Sequence, residues 1–119
     1  MSTKLKIAVL GCGNMSQAVV NGIHRFNKEV DFLTYTPSMT RANELAQKVN
    51  GQASSSLSCV EQADFIIVAC KPYQFEDLAK DLKQYNIKDK TIVSIMAAIP
   101  VSGIQELLGS EKVIRLMPS

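Results

Sequence analysis

The sequence lacks the features that mark membrane proteins, secreted disulfide proteins and metal centres. Its longest apolar run, FIIVAC at 65–70, is far shorter than the roughly 20 residues that cross a bilayer. The cysteines Cys12, Cys59 and Cys70 are an odd number without metal-ligand spacing, so we expect free thiols in a reducing cytoplasm and no metal site. The single histidine, His24, lies late in a predicted helix, and we expect no catalytic role for it.

A strong excess of either charge is also missing. Thirteen basic and eleven acidic residues leave a net charge of +2, too small to favour a nucleic acid or an anionic membrane as a partner. Hydrophobic residues make up 46% of the chain and charged residues 20%, which is typical of globular proteins and argues against disorder. The 119 residues suffice for one domain, and no linker, repeat or low-complexity segment divides them.

Strand and helix signals alternate along the chain. Short apolar runs predict strands at 6–10, 31–35, 53–54, 65–70, 91–96 and 112–116. Apolar residues at helical spacing predict helices at 14–26, 39–49, 57–63, 75–85 and 101–108. Strands separated by helices call for right-handed crossovers and a parallel sheet that is covered on both faces. The predicted fold is therefore α/β, a Rossmann-like doubly wound parallel sheet over residues 1–119.

A glycine-rich turn, GCGNMS at 11–16, follows the first strand and opens the first helix, which is the context of a dinucleotide-binding motif. Gly11 permits the tight turn, and Gly13 lets the backbone approach a pyrophosphate at the positive end of the helix dipole. Ser16 takes the third small position of the motif, where its hydroxyl can bond back to the preceding turn. The alternative is a turn that needs its glycines but binds nothing.

The end of the second strand indicates which dinucleotide is bound. An NAD site usually carries an acidic residue there, about 20 residues beyond the glycines, for the ribose 2′-hydroxyl. Here Thr36 and Ser38 occupy the strand end and Arg41 follows in the next helix, whereas Glu29 and Asp31 lie at the opposite end. Hydroxyls and a guanidinium suit a 2′-phosphate, so NADP is favoured over NAD. A solvated helix entry without a ligand is the alternative.

Cys12 lies at the start of the first helix, where thiol pKa values tend to fall. No base or resolving cysteine accompanies it, so we interpret it as a small residue beside the cofactor. On that interpretation NADPH slows its alkylation.

Four segments resemble pyrroline-5-carboxylate reductases in their order and spacing: GNMSQAVVNG, DFIIVACKPYQ, TIVSIMAAI and VIRLMPS. The resemblance covers nearly the whole chain. It implies NADPH-dependent reduction of a small molecule, 1-pyrroline-5-carboxylate, to proline by a homo-oligomeric enzyme. F420-dependent NADP oxidoreductases share the first two segments more loosely.

The resemblance also implies the cofactor contacts, position by position, while leaving the catalytic residues unassigned. The pyrophosphate would be lined by Gly11, Cys12, Gly13, Asn14 and Met15. The adenosine ribose phosphate would be surrounded by Thr36, Pro37, Ser38 and Arg41. The nicotinamide ribose would be bordered by Ala69, Cys70, Lys71 and Pro72, and the nicotinamide itself by Ala97 and Ala98.

The second half of that family is a helical domain that forms the dimer and completes the substrate pocket, and nothing here corresponds to it after Ser119. We therefore expect the chain to be a truncated, NADP-binding part of a pyrroline-5-carboxylate reductase-like oxidoreductase, with little turnover by itself. Two other interpretations stay open. One is a domain like the F420-dependent NADP oxidoreductases, and the other is an NADP-binding module that does no chemistry.

Overall fold

Six parallel strands form a single sheet in the computed structural model, which describes residues 5–96, 99–110 and 112–116. The strands are β1 (Lys6–Leu10), β2 (Asp31–Tyr35), β3 (Gln52–Ala53), β4 (Phe65–Val68), β5 (Thr91–Ser94) and β6 (Val113–Arg115). Their order across the sheet is β3-β2-β1-β4-β5-β6, so the direction of winding reverses between β1 and β4. This is the doubly wound order of dinucleotide-binding folds, and the predicted fold class is confirmed.

Helices connect the strands and cover the sheet. They are α1 (Asn14–Phe26), α2 (Thr40–Lys48), α3 (Phe75–Leu82) and α4 (Val101–Leu108), with 3-10 turns at Leu57–Gln62 and Pro72–Gln74. The helix α2 ends at Lys48. Two residues later Asn50 takes the left-handed conformation (φ 52°), and the N–H of Gly51 bonds back to the carbonyl of Ala46 at 2.8 Å. None of the helices in the described part of the chain has the length and apolar character needed to span a membrane.

Two apolar clusters fill the two faces of the sheet, because alternate residues of each strand point to opposite sides. Leu10 and Val68 face α3 and α4, where Phe75, Leu82 and Ile104 are buried. Members of the second cluster lie on the opposite face, against α1 and α2; they include Ile7, Val9, Val20, Ala42, Leu45 and Ile67. Both faces are therefore covered, as the alternation of strands and helices predicts.

The predicted strands and helices are all present, but several of their ends differ. The strand predicted at 91–96 ends at Ser94, because the Ser94 hydroxyl accepts the N–H of Met96 at 3.1 Å and turns the chain out of the sheet. The strand predicted at 65–70 ends at Val68, ahead of a loop that enters the second 3-10 turn. The segment predicted as a helix at 57–63 is 3-10 rather than α.

Candidate functional site

The candidate site is the edge of the sheet at which the central strands end. The register pairs Leu10 with both Tyr35 and Val68, and it pairs Val68 with Ser94, so these four strands end side by side. The segments that follow them leave the sheet around the point where the strand order reverses. Ligands of open α/β sheets bind in this position. The sequence-predicted residues that the structure describes all follow these strand ends; Ala97 and Ala98 lie outside the described residues.

Gly11 is required by the sheet itself. Its φ is +96°, and a Cβ atom there would lie 2.8 Å from the backbone carbonyl carbon and oxygen of Ala69. Its N–H donates to the carbonyl of Tyr35 at 3.1 Å, while the N–H of Ala69 donates to Leu10 at 2.8 Å. Gly11 is thus confined between the ends of β2 and β4. Close strand packing alone accounts for this glycine, whether or not a ligand binds.

Gly13 has no such structural requirement. It is the N-cap residue of α1 with φ −78°, a conformation open to any residue, and a Cβ atom there would meet nothing within 4 Å. The missing side chain instead leaves open space in front of the α1 N-terminus. That N-terminus has no side-chain cap and no acidic residue in its first turn. Its free N–H groups and the positive end of the dipole therefore face space that an anion can occupy.

The residues after Gly13 divide into exposed and buried positions. Asn14 is exposed, and 49% of the Met15 surface is exposed. Ser16 is 1% exposed, as a close-packed third position of the motif requires, but its Oγ has no hydrogen-bond partner among the described residues. The expected bond back to the preceding turn is therefore wrong. The carbonyl of Cys12, four residues earlier, accepts a bond from the side chain of Gln17 instead, at 3.2 Å.

Cys12 is buried, and burial raises the pKa of its thiol from 9.0 to about 11. The expectation that this pKa is lowered is wrong, because the loss of hydration on burial outweighs the groups that favour the thiolate. The backbone of Tyr35 and the charge of Arg41 act in the opposite direction, but their effect is smaller. At neutral pH this thiol is protonated and is no nucleophile. Because the charge of Arg41 acts on the Cys12 thiol, its guanidinium lies within electrostatic range of the glycine turn.

The end of β2 presents polar groups and no acid. Thr36 is 8% exposed and its hydroxyl has no partner among the described residues, whereas Pro37 and Ser38 are exposed. Arg41 is an exposed residue in the first turn of α2. This first turn contains no acidic residue, and the helix has no side-chain cap at its N-terminus. Asp31 lies at the other end of β2, opposite Lys6 in the register of the two strands. At the usual rise per residue it is about 13 Å from Tyr35, the last residue of β2.

The loop after β4 supplies the third part of the edge. Ala69 and Cys70 are half-buried, and Lys71 and Pro72 are exposed. The Sγ of Cys70 lies 3.7 Å from the Sδ of Met96, which joins this loop to the segment after β5, and burial raises the pKa of the Cys70 thiol to about 11. The Cys70 thiol is therefore protonated at neutral pH and is not marked as a proton carrier.

The sequence analysis did not single out Gln17 and Lys48, two polar residues that are linked to the glycine turn. Gln17 bonds to the carbonyl of Cys12 and accepts a bond from Lys48, which lies in the last turn of α2. The two side chains are 31 residues apart; Gln17 lies within the segment GNMSQAVVNG, but no sequence pattern pairs it with Lys48. Only the packing of α1 beside α2 brings them together.

Other groups offer no competing site. Within residues 5–96, 99–110 and 112–116, no three His, Cys, Asp or Glu side chains cluster closely enough to hold a metal. His24 lies about 15 Å along α1 from the glycine turn, at the usual rise per residue. A shallow groove between α1 and the start of β1 has a mainly apolar lining that includes Val19, Ile23 and Phe26, which suits no pyrophosphate.

Comparison with known proteins agrees with this geometry. A family model described as NADP oxidoreductase, coenzyme F420-dependent, matches residues 6–98. The chain belongs to this family. Within the family the sequence is 32% identical, over 121 residues, to the pyrroline-5-carboxylate reductase of Staphylococcus saprophyticus, a match that covers 97% of this chain and 44% of the relative. The chain therefore spans less than half the length of this relative. The match confirms the resemblance to pyrroline-5-carboxylate reductases.

Solved structures share the fold of this family member. The pyrroline-5-carboxylate reductase of Streptococcus pyogenes superposes with a TM-score of 0.70 at 23% identity, over 96% of this chain and 42% of that one. Prephenate dehydrogenase of Aquifex aeolicus, in a complex with NAD+, gives a TM-score of 0.79 at 16% identity, over 97% and 41% of the two chains. This chain thus has the fold of NAD(P)-dependent oxidoreductases.

The two glycines are expected to respond differently to alanine. Gly11→Ala is expected to lower the free energy of unfolding by at least about 2 kcal/mol, since it combines a positive φ with a backbone clash. Gly13→Ala is expected to cost less than about 1 kcal/mol, because its methyl group meets open space and only the cap preference is lost. Urea unfolding measures both. Equal losses would contradict the distinction.

The buried Cys12 thiol makes stability depend on alkaline pH. Between about pH 9 and 11 the unfolded chain loses the Cys12 proton while the folded chain keeps it, since burial raises the folded pKa from 9.0 to about 11. The free energy of unfolding therefore falls as the pH rises through this window. We expect the urea midpoint of the wild type to fall more steeply there than that of Cys12→Ala. Parallel curves would contradict the raised pKa.

Proposed function

We propose that the chain is the NADP(H)-binding domain of an oxidoreductase like the pyrroline-5-carboxylate reductases. The observation that carries the proposal is Gly13, a glycine that neither the backbone conformation nor packing requires. A dinucleotide accounts for it, because the bare backbone admits a pyrophosphate to the N-terminus of α1. The protein-only alternative requires Gly11, but at Gly13 it leaves only the modest preference of an N-cap for glycine over alanine.

The residues around the edge fit the three parts of the cofactor. Backbone groups at residues 11–15 would hold the pyrophosphate, and residues 36–41 would hold the adenosine ribose. Residues 69–72 would border the nicotinamide ribose. The bound cofactor supplies a hydride, and the domain contributes the orientation of its donor face toward the substrate.

A 2′-phosphate fits the end of β2 better than a bare ribose does. The buried hydroxyl of Thr36 lacks a partner among the described residues, and the exposed Arg41 lies near the glycine turn. An acidic residue, which would repel a phosphate, is absent from 36–43. NADP is therefore the proposed cofactor, with NAD less favoured.

The substrate is proposed from the relatives rather than from this edge. The matched reductases carry 1-pyrroline-5-carboxylate in their name, and this chain spans 44% of the length of the one from Staphylococcus saprophyticus. Burial raises the pKa of the Cys12 and Cys70 thiols at this edge, so neither thiol is assigned as an acid or base. We infer that substrate groups come from the part of such enzymes that this chain does not span. A homo-oligomer in the cytoplasm, engaged in proline synthesis, belongs to the same proposal.

A second candidate rests on the family description, which names coenzyme F420 as the hydride partner of NADP. The binding edge is the same in both cases, and only the acceptor differs. Incubating the chain with NADPH and either the deazaflavin or 1-pyrroline-5-carboxylate separates the two. NADPH oxidation with the deazaflavin but not with 1-pyrroline-5-carboxylate would favour the second candidate, and the reverse would favour the first.

Arg41 is expected to determine the preference between the two dinucleotides. Calorimetry is expected to show tighter binding of NADPH than of NADH to the wild type. Because one charge-assisted hydrogen bond contributes roughly 1.5–3 kcal/mol, Arg41→Ala is expected to weaken NADPH binding about tenfold or more and to leave NADH binding unchanged. Arg25→Ala, which removes an exposed arginine from the other end of α1, is the matched control. Equal affinity for both dinucleotides in the wild type would contradict the assignment.

Gly13 is expected to determine whether a dinucleotide binds at all. The methyl group of Gly13→Ala would occupy the space proposed for the pyrophosphate, so we expect NADPH to bind at least about tenfold more weakly. Gly22→Ala is the matched control, since a Cβ atom there also meets nothing within 4 Å and it lies farther along α1. Unchanged affinity in Gly13→Ala, measured on folded protein, would count against the site.

A further inference from the structure

Gln17 joins the glycine turn to the end of α2 through two hydrogen bonds. Its Nε2 donates to the carbonyl of Cys12 at 3.2 Å, and its Oε1 accepts from the Nζ of Lys48 at 2.9 Å. The first bond is partly buried and the second is exposed. One carboxamide therefore connects the turn before α1 with the helix that carries Arg41.

The orientation of this carboxamide is fixed by its partners. A carbonyl only accepts hydrogen bonds and an ammonium group only donates them. Rotating the Gln17 amide by 180° would place its oxygen against the Cys12 carbonyl and its NH2 group against the Lys48 ammonium. The charge of Lys48 also polarises the amide, which strengthens the bond that Nε2 donates to Cys12.

The bond to Cys12 sets the direction of the next N–H group. In a trans peptide the C=O and the N–H point in opposite directions, and the described part of the chain contains no cis peptide. Because Gln17 holds the Cys12 carbonyl on the side of α1, the N–H of Gly13 points away from Gln17. That N–H has no protein acceptor among the described residues.

We propose that Gln17 is a positioning residue for the cofactor, which fixes the Cys12–Gly13 peptide so that the Gly13 N–H is available to the pyrophosphate, with Lys48 holding Gln17 in place. The inference rests on the proposed function, since it needs a dinucleotide at this turn. It also gives α2 a second role. The helix that presents Arg41 to the ribose phosphate would orient the pyrophosphate turn from its other end.

The test compares two ligands that share the adenosine 2′-phosphate and differ in the pyrophosphate and the nicotinamide riboside attached to it. NADPH contains both groups, and adenosine 2′-monophosphate lacks the pyrophosphate. Gln17→Met keeps the length of the side chain and removes both hydrogen bonds without adding charge. We expect it to raise the Kd for NADPH about three- to tenfold, as for the loss of one hydrogen bond. The Kd for adenosine 2′-monophosphate is expected to stay within about twofold, and Gln84→Met, at an exposed position beyond α3, is the matched control.

Lys48 provides a conservative rescue. Lys48→Arg retains a cationic donor and is expected to bind NADPH as the wild type does. Lys48→Met is expected to raise the Kd for NADPH but not the Kd for adenosine 2′-monophosphate, and by less than Gln17→Met does. A selective loss in Gln17→Met and Lys48→Met, absent from Lys48→Arg and Gln84→Met, supports the inference.

Three outcomes would overturn it. If Gln17→Met weakens both ligands equally, its role is general stability. If it binds NADPH as the wild type does, the inference fails and the proposed function stands. If the wild type binds no NADPH, the proposed function fails and the inference fails with it.

Discussion

The close approach of three strand ends at Gly11 is the constraint on which the rest of this edge depends. With φ +96° and the Ala69 backbone 2.8 Å from where a Cβ atom would lie, the chain can leave β1 only through a glycine. The turn that results starts α1 at Gly13, beside the ends of β2 and β4. Each proposed cofactor contact among the described residues then takes its place at this edge from the strand that precedes it in the chain. The order of the strands therefore determines where the proposed contacts lie, and the side chains determine only what each contact offers.

The phosphate groups would be held mainly by backbone rather than by surplus positive charge. A net charge of +2 gives little long-range attraction, and the first turns of α1 and α2 contain no acidic residue to oppose an anion. Two helix N-termini and the single guanidinium of Arg41 converge on one edge instead. Such an arrangement selects for the shape of a dinucleotide, because isolated anions would meet only one of the three groups at a time.

The sequence predicted the order of strands and helices because each buried segment shows its own periodicity. It also predicted that Asp31 lies at the end of β2 opposite the glycine turn, since direction along a strand is readable from the chain. It missed the end of β5, which depends on a short-range bond from the N–H of Met96 to the Ser94 hydroxyl that hydrophobic periodicity does not show. It also missed features that depend on contacts between distant segments: burial raises the pKa of Cys12, and the placement of α1 and α2 on one face of the sheet brings Gln17 to Lys48.

The bond between Lys48 and Gln17 has a consequence for exchanging cofactor preference by grafting. The segment from Thr36 to Lys48 carries both the proposed ribose phosphate contacts and Lys48, the proposed anchor of the glycine turn. A graft that moves only the loop after β2 from an NAD-specific relative would retain the anchor. One that replaces the whole helix without a donor at position 48 would disturb both phosphate sites at once. On this proposal, a graft needs to treat the loop after β2 and the whole of α2 as one unit, and it needs to keep a hydrogen-bond donor at position 48.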